Sequence, residues 1–170
     1  MFDGNLDGAR AALMTLQKKM AAYEHAVGLL YYDGATTAPK ETAENRAVTI
    51  SILTEEMYRF STSEKTVELL TFLDSRKDEL DAKEKRMVHL LIKDLRELEK
   101  IPMEEYVAYQ ELLVRADDVW HRAKEASDFE LFRPLLEEIF ATAKRFAGYV
   151  APEKAPYDYL LNNYEEGLTQ

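Results

Sequence analysis

The chain has 170 residues, 46% hydrophobic and 32% charged, with 6 Gly, 5 Pro and no Cys, enough to bury one core and too few turn formers for a sandwich or barrel. The missing Cys excludes disulfide frameworks, Cys-ligated zinc, iron–sulfur clusters and thiol catalysis. With 22 Lys and Arg against 32 Asp and Glu, the net charge of −10 repels nucleic acid and anionic lipid, and neither is an expected partner.

The N-terminal run MFDGNLDGARAALM is acidic where a secretory leader is basic, and no stretch of about 18 apolar residues follows anywhere. A cytoplasmic protein without membrane insertion is the expectation. Leu6, Ala9, Leu13, Leu16, Met20, Tyr23, Val27 and Leu30 then alternate three and four apart. This seven-residue repeat predicts a long first helix, capped by Asn5 or Asp7, packed at a shallow angle within one subunit. Tyr31 to Pro39, with Gly34, Thr36 and Thr37, reads as a loop.

A second helix is predicted from about Thr42 to Phe60, with Ala43, Ala47, Ile50, Leu53, Met57 and Phe60 on one face. Ser61 to Glu64 has capping-box spacing ahead of a short helix carrying Val67, Leu70 and Leu73. Asp81 and Glu84 repeat that spacing before Met87, Val88, Leu91, Leu95 and Leu98, a fourth helix ending near Ile101 and Pro102. Pro102 suits the first position of a fifth helix with Tyr106, Tyr109, Leu113, Trp120 and Ala123 on its face.

Ser127 and Glu130 form a third capping-box pattern, and Pro134 places a short turn before a sixth helix. That helix buries Leu135, Ile139, Phe140, Ala143 and Phe146 and stops at Gly148. After the proline-rich connector Ala151 to Pro156, a last short helix runs from Tyr157 to Tyr164. Thr169 is a good N-cap with one residue after it, the pattern expected of a cut chain. The fold class is therefore all-α: one helical domain over residues 1–170, a bundle of six or seven helices.

The chemistry-bearing residues are sparse. His25, His89 and His121 lie 64 and 32 residues apart, and no His-Glu-x-x-His pattern exists for a zinc hydrolase. Asp118 and His121 share a helix face, one half of the carboxylate-and-His arrangement of a di-metal bundle, but the other half is missing. The paired acids Glu55-Glu56, Glu104-Glu105, Asp117-Asp118, Glu137-Glu138 and Glu165-Glu166 point about 100° apart and read as solvated faces beside Lys and Arg. No phosphate loop or nucleophile elbow appears. Tyr106, Tyr109, Tyr157 and Tyr159 sit where helix faces need bulky side chains. On the residues alone, this is an acidic helical domain without a visible active site.

Three stretches resemble a known family. His25-Ala26-Val27-Gly28-Leu29-Leu30-Tyr31-Tyr32-Asp33-Gly34-Ala35-Thr36-Thr37-Ala38-Pro39, with Arg46 seven residues on, resembles the N-terminal signature of the carboxypeptidase Taq metallocarboxypeptidases. There an Ala-Leu-Gly helix end precedes Leu-x-Trp-Asp-x-x-Thr-x-Met-Pro and a later Arg. Asp33, Thr36, Pro39 and Arg46 match, while Tyr32 stands for Trp and Ala38 for Met. The stretch from Trp120 to Glu137, with Ala123, Asp128, Phe129, Phe132, Pro134, Leu135 and Leu136, is similar to the family's Trp, Ala, Asp-Phe, Phe, Pro and Leu run. Tyr157-Asp158-Tyr159-Leu160-Leu161-Asn162-Asn163-Tyr164-Glu165-Glu166-Gly167-Leu168-Thr169 is similar to its Tyr-Asp-x-Leu-Leu-x-x-Tyr-Glu-x-Gly-Met-Thr block.

The resemblance implies a helical, cytoplasmic, homodimeric zinc peptidase that trims peptide C-termini. In that family the zinc motif, the third ligand and the substrate-carboxylate groups lie far beyond Gln170, so no catalytic, cofactor or metal residue is carried onto this chain. Zinc or another divalent metal then belongs to the full-length parent, as does the peptide substrate. The missing C-terminal catalytic half is the expected partner, together with a second copy in a homo-oligomer. Asp33 and Thr36 are expected to fix a loop, and Trp120, Asp128 and Phe129 to pack a helix junction. The alternatives are a free-standing helical interaction or dimerisation module and a di-metal bundle enzyme using Asp118 and His121.

Overall fold

The computed structural model describes residues 4–169, the side chain of Lys40 excepted. Met1 to Asp3 and Gln170, the ends of the expected 1–170 domain, lie outside the described residues. Among the described residues there are seven α-helices and no strand: α1 (Leu6–Thr36), α2 (Ala43–Ser61), α3 (Glu64–Ser75), α4 (Ala82–Leu98), α5 (Met103–Ala126), α6 (Arg133–Val150) and α7 (Pro156–Asn162). Three 3-10 turns, Lys40–Thr42, Lys77–Glu79 and Phe129–Leu131, lie between them. The all-α expectation is met. The residues group into two compact units, one of residues up to Thr36 with Ile52–Glu99, the other of Thr37–Ser51 with Lys100 onward.

In the first unit α1 begins as the sequence predicts, with the Asn5 carboxamide oxygen accepting from the Gly8 amide at 2.7 Å. Its three-and-four seam buries Ala9 and Leu13 against Leu69, Leu70 and Leu73 of α3 and Val88, Leu91 and Leu95 of α4, with Leu6, Leu16 and Met20 at the edge. Tyr23 continues the seam, its ring centroid 5.2 Å from that of Phe60. Arg10 holds α1 to the start of α4: it lies 3.1 Å from the Glu84 carboxylate and donates to the Glu79 carbonyl at 2.7 Å.

The expected loop from Tyr31 is helical through Thr36. Gly34 costs a helix only about 1 kcal/mol, and the Thr36 hydroxyl satisfies the Tyr32 carbonyl at 2.6 Å. The stop comes from Pro39, which disfavours helical backbone at Ala38. The cap of α3 also shifts. Ser61 still belongs to α2, and Ser63 accepts from the Thr66 amide instead.

Asp81 and Glu84 form the predicted capping box, with side-chain bonds of 2.7 Å to the Glu84 amide and 2.9 Å from the Asp81 amide. An Asp81→Ala variant is expected to lose about 0.5–2 kcal/mol of unfolding free energy, since only one of the two bonds survives. Urea titration followed by far-UV circular dichroism checks this. A Lys83→Ala change in the same turn serves as the unaffected control.

In the second unit Ile101, Phe146, Ala147, Val150, Ala151 and Tyr159 form the core, flanked by Tyr106, Tyr109 and Leu160. Pro102 is the N-cap of α5 rather than its first helical residue. At the other end Ser127 is left-handed, with φ 53°, and the Asp128 amide reaches back to the Ala123 carbonyl at 2.8 Å. Ser127 thus terminates α5 instead of capping α6. Pro134 occupies the first turn of α6. That helix runs past Gly148 to Val150, whose carbonyl accepts from the Lys100 ammonium at 2.6 Å. Phe140, expected inside, is 59% exposed. Two residues from Thr142 and six from Phe146, it lies about 160° and about 120° round the helix from those buried side chains.

Candidate functional site

The resemblance blocks are built from local hydrogen bonds. In the first, Tyr32 is 69% exposed and Asp33 lies on the exposed side of α1. Thr36 belongs to the helix end rather than to a loop. Beyond it, the Pro39 carbonyl accepts from the Thr42 amide at 3.0 Å and from the Thr42 hydroxyl at 2.6 Å. The Arg46 guanidinium donates to that same hydroxyl at 3.5 Å. Pro39, Thr42 and Arg46 therefore fix the entry to α2, a structural task.

In the second block the Asp128 carboxylate accepts from the Glu130 amide at 3.1 Å. Trp120 meets the His121 ring edge-on at 4.6 Å and the Lys124 ammonium at 5.2 Å. Phe129 carries the Arg133 guanidinium at 5.5 Å. Caps rather than side-chain burial hold this junction, because Trp120 is 41% and Phe129 55% exposed. In the third block Tyr159 is buried, while Tyr157 and Tyr164 stand in solvent and Asp158 is half-buried. Beyond Glu165, Gly167 adopts φ 89°, a left-handed conformation that favours glycine. Its amide donates to the Asn162 side chain at 2.9 Å.

One pocket stands apart from these blocks. A cavity of about 230 Å³ lies between α5 and α6, lined by Glu104, Glu105, Tyr109, Glu138, Thr142 and Arg145 among others. Glu105 was legible only as one of a pair of adjacent acids on a solvated face. In the fold its two oxygens are held separately, by Arg145 at 2.7 Å and by the Tyr149 hydroxyl at 3.0 Å. The partners are 40 and 44 residues away, so no local spacing signals them. The Arg145 hydrogen bond holds the Glu105 carboxyl below its usual value of 4.5, and the same carboxylate pushes the Tyr149 phenol up. An arginine already paired in this way is not free to take a substrate carboxylate, and the pocket is smaller than ordinary ligand sites of about 300–1,000 Å³.

A depressed carboxylate stabilises the fold above its unfolded pKa and loses that contribution as pH falls through the folded one. A Glu105→Gln variant is therefore expected to lose less stability than the parent on acidification from about pH 5 to about pH 3. The difference should shrink with added salt, because the pair is partly exposed. Thermal denaturation across pH, with and without salt, measures it.

The metal question turns on the histidines. His25, His89 and His121 are all exposed, on α1, α4 and α5. His121 does not pair with Asp118: its Nδ1 lies 2.9 Å from the Asp117 carbonyl, while Asp118 binds the Arg122 guanidinium at 3.1 Å. The arrangement required of a di-metal half-site is therefore not formed. Among the described residues no three His, Asp or Glu side chains converge as metal ligands. These residues do not fit a resident metal.

The comparisons with known proteins converge on one family. The model of the carboxypeptidase Taq (M32) metallopeptidases matches residues 12–170. Carboxypeptidase 1 of Bacillus subtilis is 39% identical over 154 residues, covering 91% of this chain and 31% of that protein. Thermostable carboxypeptidase 1 of Pyrococcus furiosus is 31% identical over 159 residues, covering 92% of this chain and 31% of that protein. A crystal structure designated BsuCP superposes with a TM-score of 0.91 at 37% identity, over 95% of this chain and 32% of its own. The chain thus spans about a third of the length of the relatives it matches. A match over nearly all of the helical chain, in sequence and in structure, settles its kinship: it belongs to the carboxypeptidase Taq (M32) metallopeptidase family.

Proposed function

We propose that this chain is the N-terminal helical part of a metallocarboxypeptidase whose whole form hydrolyses the C-terminal peptide bond of peptides. The observation that carries the reading is the match over residues 12–170 to about 31% of two carboxypeptidases. Its task is scaffolding: it supplies one wall of the peptide groove, helping to orient substrate and exclude water. The metal, zinc or another divalent ion, is held by residues outside this chain, and no step of the reaction runs through the residues described here. The whole protein is a cytoplasmic homo-oligomer in this reading.

The test uses two polypeptides, the chain alone and Bacillus subtilis carboxypeptidase 1 with its matching third replaced by this chain. With an unblocked peptide substrate, the chain alone is expected to release no C-terminal amino acid. The chimera is expected to release it at a rate within about tenfold of the parent enzyme, a barrier change of about 1.4 kcal/mol or less. Release by the chain alone overturns the reading, as does a folded chimera without activity. A free-standing interaction module is the weaker reading, because both relatives carry the matching region within a protein about three times as long.

A further inference from the structure

The second half of α1 is built for burial and is covered on one face only, where Tyr23, Ala26, Val27, Leu30 and Tyr31 are half-buried. From Ala21 to Thr36 no residue of the helix is buried, and Leu29 and Tyr32 are 55% and 69% exposed. This stretch is about 24 Å long. It includes Ala21, Ala22, Ala26, Val27, Leu29, Leu30 and Ala35, with only two acids, Glu24 and Asp33. No Lys or Arg occurs between Lys19 and Lys40, in a chain where 32% of residues are charged. A surface helix carries one apolar stripe and a charged opposite face, whereas a helix apolar on most sides is an interior helix. The first half of α1 obeys the surface rule: Ala9 and Leu13 are buried, while Asp7, Arg10, Lys18 and Lys19 supply charge.

We infer that the exposed face of Ala21–Thr36, which carries Leu29 and Tyr32, is a docking surface, and that its occupant is the remaining two thirds of the family's fold. This rests on the carboxypeptidase reading above. The occupant follows from length. BsuCP matches 95% of this chain at a TM-score of 0.91, yet the match takes up only 32% of BsuCP. A protein of that size has ample chain to cover the exposed side of one helix. Small residues at Ala21, Ala22 and Ala35 permit close approach of another backbone. Leu29 and Tyr32, three residues apart, share one face and supply the apolar anchor.

The chain has no Cys, so single thiols can serve as clean probes. Leu29→Cys and, on α4, Leu90→Cys as reference, are introduced into the isolated chain and into the Bacillus chimera. Reaction with a maleimide is followed at each site by peptide mass spectrometry. In the isolated chain both sites should react at similar rates. In the chimera the probe at position 29 should react at least tenfold more slowly, with the reference at position 90 little changed.

Equal labelling at position 29 in an active chimera overturns the docking surface and leaves the carboxypeptidase reading intact. Protection in a folded but inactive chimera does the reverse. Protection at position 29 in the isolated chain that grows with concentration assigns the surface to a second copy and overturns the inference. Should the chimera not fold, the remaining two thirds of the Bacillus enzyme is added in trans. Leu29→Glu with Tyr32→Glu should then weaken binding at least tenfold, and unchanged or undetectable binding to the parent chain counts against the surface.

Discussion

A Leu73→Ala variant is expected to lose about 2–5 kcal/mol of unfolding free energy. Leu73 is fully enclosed, at 0% exposure, beside Leu69 and Leu70 on α3 and against buried residues of α1 and α4. Truncation removes its transfer free energy and leaves a cavity. The surrounding helices can close it only by giving up the seam that holds Ala9 and Leu13. In urea the midpoint should fall by about 1 M or more, at a slope of about 1–3 kcal/mol per molar. Leu90→Ala, at a site 38% exposed on α4, should change stability by about 0.5 kcal/mol or less. Comparable shifts at the two sites would mean that α3 is not the centre of this core.

What could be read from the sequence was what short-range physics determines. The seam of α1 was legible because a seven-residue repeat needs no partner to be visible. The Asp81–Glu84 box was legible because both of its bonds close within one turn. The structure departs from the local pattern where two local signals compete. At Gly34 the helix penalty is weak and the helix continues to Thr36; the stop belongs to Pro39. At Ser61 the capping-box spacing points two residues short of the real cap, Ser63, and at Ser127 the spacing is present but the backbone is left-handed. A serine can end a helix by taking positive φ as well as begin one, and only the backbone at Ser127 distinguishes the two. Phe140 follows Ile139 of the seam in sequence, and adjacency to a seam residue is no guide to burial on a helix.

The candidate site divides in the same way. Tyr32, Asp33, Arg46, Trp120, Asp128 and Gly167 were found through resemblance, and the fold then shows several of them working as local fasteners. The Glu105 clamp was out of reach, since Arg145 and Tyr149 approach it from 40 and 44 residues away. Along the second half of α1 the seam continues half-buried through Tyr23, Val27 and Leu30, while Leu29 and Tyr32 lie off it and are exposed. Periodicity marks the seam, but the exposure of Leu29 and Tyr32 beside it is visible only in the fold.

The second large effect belongs to Phe146, which is 7% exposed and central to the other core. Its ring meets Tyr109 edge-on at 5.3 Å and stacks on Tyr149 at 6.4 Å, contacts that add about 0.5–1.5 kcal/mol per pair to area burial. Phe146→Ala should therefore cost about 3–5 kcal/mol, read by urea unfolding through the fluorescence of Trp120 on α5. Phe140→Ala, at 59% exposure on the same helix, should stay within about 0.5 kcal/mol of the parent. A second readout separates loss of packing from loss of helix. Burial, with a smaller contribution from Tyr164, pushes the Tyr109 phenol above its ordinary 10.0. A phenol with a raised folded pKa contributes stability that is whole below the unfolded pKa and is lost as pH rises through the folded one. Opening the site in Phe146→Ala admits water to Tyr109 and returns its phenol toward the ordinary value. Ultraviolet titration of the tyrosines should show that ionisation moving down in Phe146→Ala but not in Phe140→Ala, and an unmoved titration would place Tyr109 outside this core.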